Sequence, residues 1–285
     1  MHIFKIFILL IFFLSLGGCS ALKNIKKNAD EEKAKKEEKN RSEWTVDRYY
    51  AEAKSKLEAE EYKDAAKLYE QLESRYPFGE YAQQSLLESA YAYYKTNQDE
   101  SALASINRFI QLYPLNKNLD YAYYLKGLVN FNRGVGIIQK YVPYDETQRD
   151  PASAEESLKD FKSLVQRFPN SQYAKEAAQR IVYLRNRLAQ HELNVAHYYM
   201  RRNAYIGAIN RAQYVVENYQ RTPAVPEALT LMVRGYKILG LDDLAKSNFE
   251  VLEHNYPGYF GVSRAKELKI IKEKQEEITG TTAKK

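Results

Sequence analysis

The fragment HELNVAH, residues 191 to 197, is the place where histidine and carboxylate crowd together in this chain. His191, Glu192 and His197 are the residue types that hold and serve a catalytic zinc ion. A metalloprotease helix sets its two histidines four residues apart, so that both face one metal. Here they stand six apart, which turns them about 240° from each other on a helix. The chain has four histidines and one cysteine, too few to complete the set from elsewhere. It has no G-x-S-x-G and no glycine-rich phosphate loop, and its carboxylates are scattered over charged stretches. The sequence therefore predicts no catalytic residue, no metal site and no cofactor, and a function of binding rather than catalysis.

The single cysteine, Cys19, has chemistry of another kind. It follows the unbroken apolar run Ile6 to Leu14 and the small pair Gly17-Gly18. A short basic start, such a run and small residues after it read as an export signal over 1–18. The run is too short to span a membrane, which takes roughly 20 apolar residues. Leu16-Gly17-Gly18-Cys19 resembles a bacterial lipobox. The resemblance implies that Cys19 is acylated and begins the mature chain, held in a lipid leaflet by several acyl chains. Ser20 after the cysteine implies sorting to the outer membrane, periplasmic face.

Residues 20 to 43 alternate charges of both signs without an apolar face, so 19–46 is expected to be the acylated cysteine and a solvated, flexible linker. The net charge of +6 is spread over 43 basic and 37 acidic residues. No basic block interleaved with aromatics occurs, so nucleic acid is not an expected partner.

From about Asp47 the texture changes to helical periodicity, rich in tyrosine. Tyr76-Pro77 and Tyr113-Pro114 end two such runs 37 residues apart, and Tyr219 lies the same distance before Tyr256. Before each aromatic, four positions recur at +4, +3, +4 spacing. They are Ala65, Tyr69, Leu72, Tyr76; Ala102, Ile106, Phe109, Tyr113; and Ser157, Phe161, Leu164, Phe168. The last two sets are Ala208, Ala212, Val215, Tyr219 and Ala245, Phe249, Leu252, Tyr256. This spacing returns to one helix face, small residue first and aromatic last. A second small residue lies upstream on a preceding helix: Ala53, Ala90, Gly127, Ala196 and Val233. Small residues let paired antiparallel helices approach, and the larger ones fill the seam.

Small-x-x-Tyr, a turn, then alanine, an aromatic and proline resembles the tetratricopeptide repeat. The resemblance implies an all-α fold, an α-solenoid of five helix pairs. The apolar residues of 259–278 predict a C-terminal capping helix, needed because an end repeat would expose its seam. The expected organisation is an N-terminal half over 47–170 with repeats 1 to 3, and a C-terminal half over 171–278 with repeats 4, 5 and the cap. A disordered tail follows at 279–285. An insertion at about 135–152, VGIIQKYVPYDETQRDP, interrupts the third pair, and Asp150-Pro151 is expected to open its second helix.

In such arrays the first helices line the inner surface. That places Tyr50, Lys54, Tyr91, Tyr94, Lys95, Tyr121, Tyr124, Leu128 and Phe131 in a groove suited to an extended, aromatic-rich peptide, with lysine for a carboxylate. Arg201, Arg202, Arg211 and Arg234 form a second candidate set, for the carboxylates of a protein partner.

Longer blocks point further: RYPFGEYAQQ at 75–84, NLDYAYYLKGL at 118–128, QRDP at 148–151, FPNSQYAKEA at 168–177 and YLRNRLAQHE at 183–192. With the third-repeat insertion they resemble the BamD family, lipoproteins of the outer-membrane β-barrel assembly machinery. The resemblance implies an assembly factor whose N-terminal repeats receive unfolded outer-membrane proteins. Its C-terminal repeats would hold the barrel-forming BamA subunit, beside other lipoproteins of the complex. The competing expectation is a tetratricopeptide scaffold or pilotin lipoprotein for pilus or cell-wall machinery.

Overall fold

The structure is a computed structural model, and it describes residues 43–133 and 150–263. The expected signal peptide, Cys19, the linker, nearly all of the insertion, most of the capping helix and the tail lie outside these residues.

The described residues hold ten helices and no strand. They are α1 (Val46–Glu58), α2 (Tyr62–Arg75), α3 (Glu80–Lys95), α4 (Asp99–Leu112) and α5 (Leu119–Asn132). Then follow α6 (Ala152–Arg167), α7 (Ala174–Arg201), α8 (Tyr205–Asn218), α9 (Val225–Ile238) and α10 (Asp242–Asn255). The fold is all-α, and the helices fall into five consecutive pairs, odd-numbered helix first. Packing divides the chain within α3 into two compact units, Met1–Ser89 and Ala90–Lys285.

The small residues lie where the periodicity puts them. Ala65, Ala102, Ser157, Ala208 and Ala245 are buried, as are Ala53, Ala90, Gly127, Ala196 and Val233. In the first unit Ala53 and Ala65 share a core with Tyr49, Leu68, Tyr69 and Leu72. In the second, one core joins Phe161, Leu164, Leu184, Leu188, Ala196, Ala208, Ala212 and Val215. A smaller one gathers Val225, Leu229, Leu252 and Val262.

Each second helix ends the same way. The aromatic before the turn is the C-cap, and its N–H reaches back four residues: Tyr76 to Leu72, Tyr113 to Phe109, Phe168 to Leu164, Tyr219 to Val215 and Tyr256 to Leu252. The turns inside four pairs are equally uniform. Glu60, Asn97, Asn203 and Gly240 have φ of 60°, 57°, 60° and 73°. The next residue's N–H then bonds five residues back: Glu61 to Lys56, Gln98 to Tyr93, Ala204 to Tyr199 and Leu241 to Tyr236. This is the Schellman arrangement, which satisfies carbonyls the helix end would leave bare. Glycine fills the left-handed position once; glutamate and asparagine do so elsewhere at a steric cost.

Two local expectations need correction. Helix α6 starts at Ala152, one residue later than a first-turn proline requires, with Pro151 as N-cap. Asp150 still serves that end, its Oδ1 accepting from the Ala152 N–H at 3.1 Å. The other concerns α7. From Phe168 to Tyr219 is 51 residues, 14 beyond the 37-residue step. The surplus forms no loop: it doubles α7 to 28 residues, with Ala177, Leu184, Leu188, Leu193 and Ala196 along one buried face.

Candidate peptide-binding sites

Tyr50 and Lys54 come from successive turns of α1, and both converge on a residue the sequence did not single out, Glu88 of α3. Glu88 Oε1 accepts from the Tyr50 hydroxyl at 3.0 Å and from Gln84 Nε2 at 3.0 Å. The Lys54 ammonium stands 3.7 Å from the same oxygen. The buried Tyr69 hydroxyl donates to Oε2. Lys54 also lies over the Tyr50 ring, 5.9 Å from its centroid, and the Tyr81 ring stands 4.8 Å from that of Tyr50. Burial pushes the Tyr50 and Tyr69 hydroxyls well above the ordinary phenol range, and the Glu88 carboxylate adds to it. Both tyrosines therefore stay protonated and keep donating.

The second unit repeats this design. Tyr124 on α5 stands three residues before Gly127, as Tyr50 stands three before Ala53. Its hydroxyl donates to Glu176 Oε2 on α7 at 2.6 Å. Glu176 Oε1 takes two bonds from Arg180, Nη2 at 2.7 Å and Nε at 3.0 Å. The guanidinium in turn lies 4.8 Å from the centre of the Phe131 ring and 5.9 Å from that of Phe161. Tyr173 stacks on Tyr124 at 4.6 Å and 15°, and Tyr183 faces Phe131 at 5.6 Å. The Tyr124 hydrogen bond, then Arg180, lowers the Glu176 carboxyl below its usual value. Burial and Glu176 push Tyr124 up to about 12.

The other expected groove residues of this unit lie near the cluster or on its helices. Tyr94 accepts from Asn132 Nδ2 at 2.7 Å and feels the charge of Arg180. Lys95 lies over the Tyr91 ring at 5.9 Å. The Tyr121 ring is 5.6 Å from that of Tyr173. Leu128 is half-buried against the core. In each unit the outcome is thus a tyrosine–carboxylate–cation triad walled by aromatic rings. Sequence reasoning found the tyrosines but missed Glu88, Glu176 and Arg180.

The four arginines are placed differently. Arg201 and Arg202 are exposed at the end of α7, with Arg202 5.5 Å from the Tyr198 ring. Arg234 is exposed on α9. Arg211 on α8 is an ion-pair partner: its Nη1 donates to Glu192 Oε2 at 3.1 Å, and Glu192 is nearly buried. The zinc-like fragment is thereby accounted for. Glu192 holds Arg211, and His197 Nε2 lies 2.6 Å from Glu227 Oε1 on α9. Among the described residues no three histidine, cysteine or carboxylate side chains gather as a metal site would require.

A further polar cluster lies inside the third pair. Asp160 is buried, its Oδ2 accepts from Asn130 Nδ2 at 2.7 Å, and Lys126 Nζ stands 3.4 Å from Oδ1. Burial raises its carboxyl above the usual value, against the opposing pull of Lys126 and Asn130.

Comparison with known proteins covers both units. Residues 42–252 match the family model described as YfiO, outer membrane lipoprotein. An outer membrane protein assembly factor, BamD, of Neisseria meningitidis serogroup B is 47% identical over 214 residues, 75% of this chain and 80% of that protein. The factor of the same name from Xylella fastidiosa strain Temecula1 is 34% identical over 252 residues, 88% of this chain and 82% of its own. Among solved structures, the P58(IPK) TPR domain aligns with a TM-score of 0.40 at 16% identity, covering 83% of this chain and 68% of that one.

Proposed function

Since the chain belongs to the BamD family of outer-membrane lipoproteins, we propose that it is a non-enzymatic factor in the assembly of outer-membrane β-barrel proteins. Anchored through an acylated Cys19 on the periplasmic side of the outer membrane, it binds unfolded barrel proteins through repeats 1 to 3, residues 47–170. Through repeats 4 and 5, within 171–278, it holds a BamA-type barrel subunit, and other lipoproteins of the complex join them. Binding is non-covalent and uses no cofactor.

The relationship across residues 42–252 carries this reading. The triads support its client-binding part. Each sets an aromatic wall beside a cation whose charge is locally balanced, a surface on which an extended chain lies without paying for an isolated buried charge. The exposed Arg201, Arg202 and Arg234, with Arg211, supply cations for a folded partner.

Affinity purification of the full-length lipoprotein from solubilised outer membrane tests the reading. A barrel-forming subunit and nascent barrel proteins should be recovered. Recovery of pilus or cell-wall proteins with no barrel-forming subunit would overturn it in favour of a scaffold or pilotin.

A further inference from the structure

The two hydrogen bonds of Arg180 to Glu176 end on a single carboxylate oxygen, Oε1, while Oε2 serves Tyr124. A guanidinium carries five N–H donors in a planar fork that matches a carboxylate with two parallel bonds. Glu176 spends the Nε–Nη2 edge and does so one-sidedly. The side chain of Arg180 is 28% exposed and that of Glu176 46%, so the pair is reachable from solvent. Phe131 and Phe161 pin the guanidinium plane from below, and the half-buried rings of Tyr124 and Tyr173 stand beside it. An arginine laid on aromatic rings at the rim of such a wall is the usual composition of a binding hot spot.

We propose that Arg180 is the anchor for a carboxylate of the bound extended polypeptide, and that Glu176 competes with that carboxylate for the guanidinium. Glu176 is the chain's own stand-in for the ligand. An incoming carboxylate with an aromatic side chain next to it takes the guanidinium edge while the ring joins Tyr124 and Tyr173. When the ligand leaves, Glu176 restores charge balance, so Arg180 is never an uncompensated cation on an apolar face. The competition makes binding weak and reversible, as a factor that passes its client onward needs. This assignment rests on the client-binding reading above and adds the residue pair that sets its carboxylate preference.

The test uses the full-length lipoprotein in detergent micelles and two short synthetic peptides ending in phenylalanine. One has a free terminal carboxylate and the other is amidated. Fluorescence anisotropy gives the affinities at low and at physiological salt. Wild type should prefer the acid, the more so at low salt. Glu176→Gln removes the competitor and should tighten the acid peptide about 3- to 10-fold, leaving the amide unchanged. Arg180→Gln should abolish the acid–amide difference while amide binding persists. Equal affinity of wild type for both peptides would overturn the anchor. So would Glu176→Gln and Arg180→Gln variants that shift both peptides alike, because a purely structural pair does that. If neither peptide binds wild type at all, the client-binding reading falls with it.

Discussion

A β-carbon built on Gly127 would stand 2.5 Å from Cε1 of Phe161, inside the ring's contact distance. The absent side chain on α5 is the space that the aromatic on α6 occupies. At the same crossing the Ser157 hydroxyl donates to the Gly127 carbonyl at 2.9 Å, so the closest approach of the third pair is marked by a hydrogen bond as well as by a void filled.

Gly127→Ala is therefore expected to destabilise the chain by about 1–3 kcal/mol, the cost of overpacking. The better helix propensity of alanine offsets about 1 kcal/mol of it. Combining it with Phe161→Leu should cost less than the two single changes together, as denaturant titration of all three variants would read. A sum without coupling would mean the ring and the glycine do not meet.

The buried alanines of the seams predict a position-dependent response. Ala65→Leu or Ala208→Leu should each cost about 1–3 kcal/mol. Ala51→Leu, on an exposed position of α1, should stay within about 0.5 kcal/mol of wild type. Equal effects at Ala51 and Ala65 would contradict the pairing.

Glu88 is the acceptor for the fully buried Tyr69. Glu88→Ala leaves that hydroxyl unsatisfied, and a loss of about 1–3 kcal/mol follows. In a Tyr69→Phe background the same change should cost clearly less. The double-mutant cycle from thermal or urea unfolding isolates the coupling.

The pH response of Asp160 has a definite sign. Its carboxyl is raised in the folded chain by burial, with Glu156 adding and Lys126 and Asn130 opposing. The folded state then holds the proton more tightly than the unfolded one, so this group adds stability as pH falls through its folded value toward the unfolded one. Unfolding free energies of wild type and Asp160→Asn, compared at pH 7 and at acidic pH, should move in favour of wild type on acidification. A constant or opposite difference would show that burial does not dominate at this site.

The repeats were legible because pairing leaves a local trace: a small residue, an apolar ladder and an aromatic end recur within one helix and its neighbour. Ala65, Ala102 and Ala245 could be placed in the seam from spacing alone. The triads left no such trace. Tyr50 and Glu88 are 38 residues apart and Tyr124 and Glu176 are 52 apart, so each glutamate resembles any charge on a solvated face until the next first helix is docked. Arg211 read as a free surface cation for the same reason, its partner being 19 residues away on α7. Glu60 in a left-handed turn was hidden because glutamate is not the residue that usually announces one. The surplus before Tyr219 was countable, and the absence of any helix breaker between Ala174 and Arg201 was the signal that it lengthens a helix.

That lengthening obeys an angular rule. Fourteen added residues advance a helix by about 1,400°, roughly 40° short of four whole revolutions, so the stripe that meets α6 at Ala177 and Leu184 runs on to meet α8 at Ala196 with little drift. The admissible lengths of α7 come in steps near whole revolutions. Removing four residues from its exposed side would shorten it and keep its azimuth, whereas removing two would swing Glu192 about 200° away from Arg211 and unseat everything downstream.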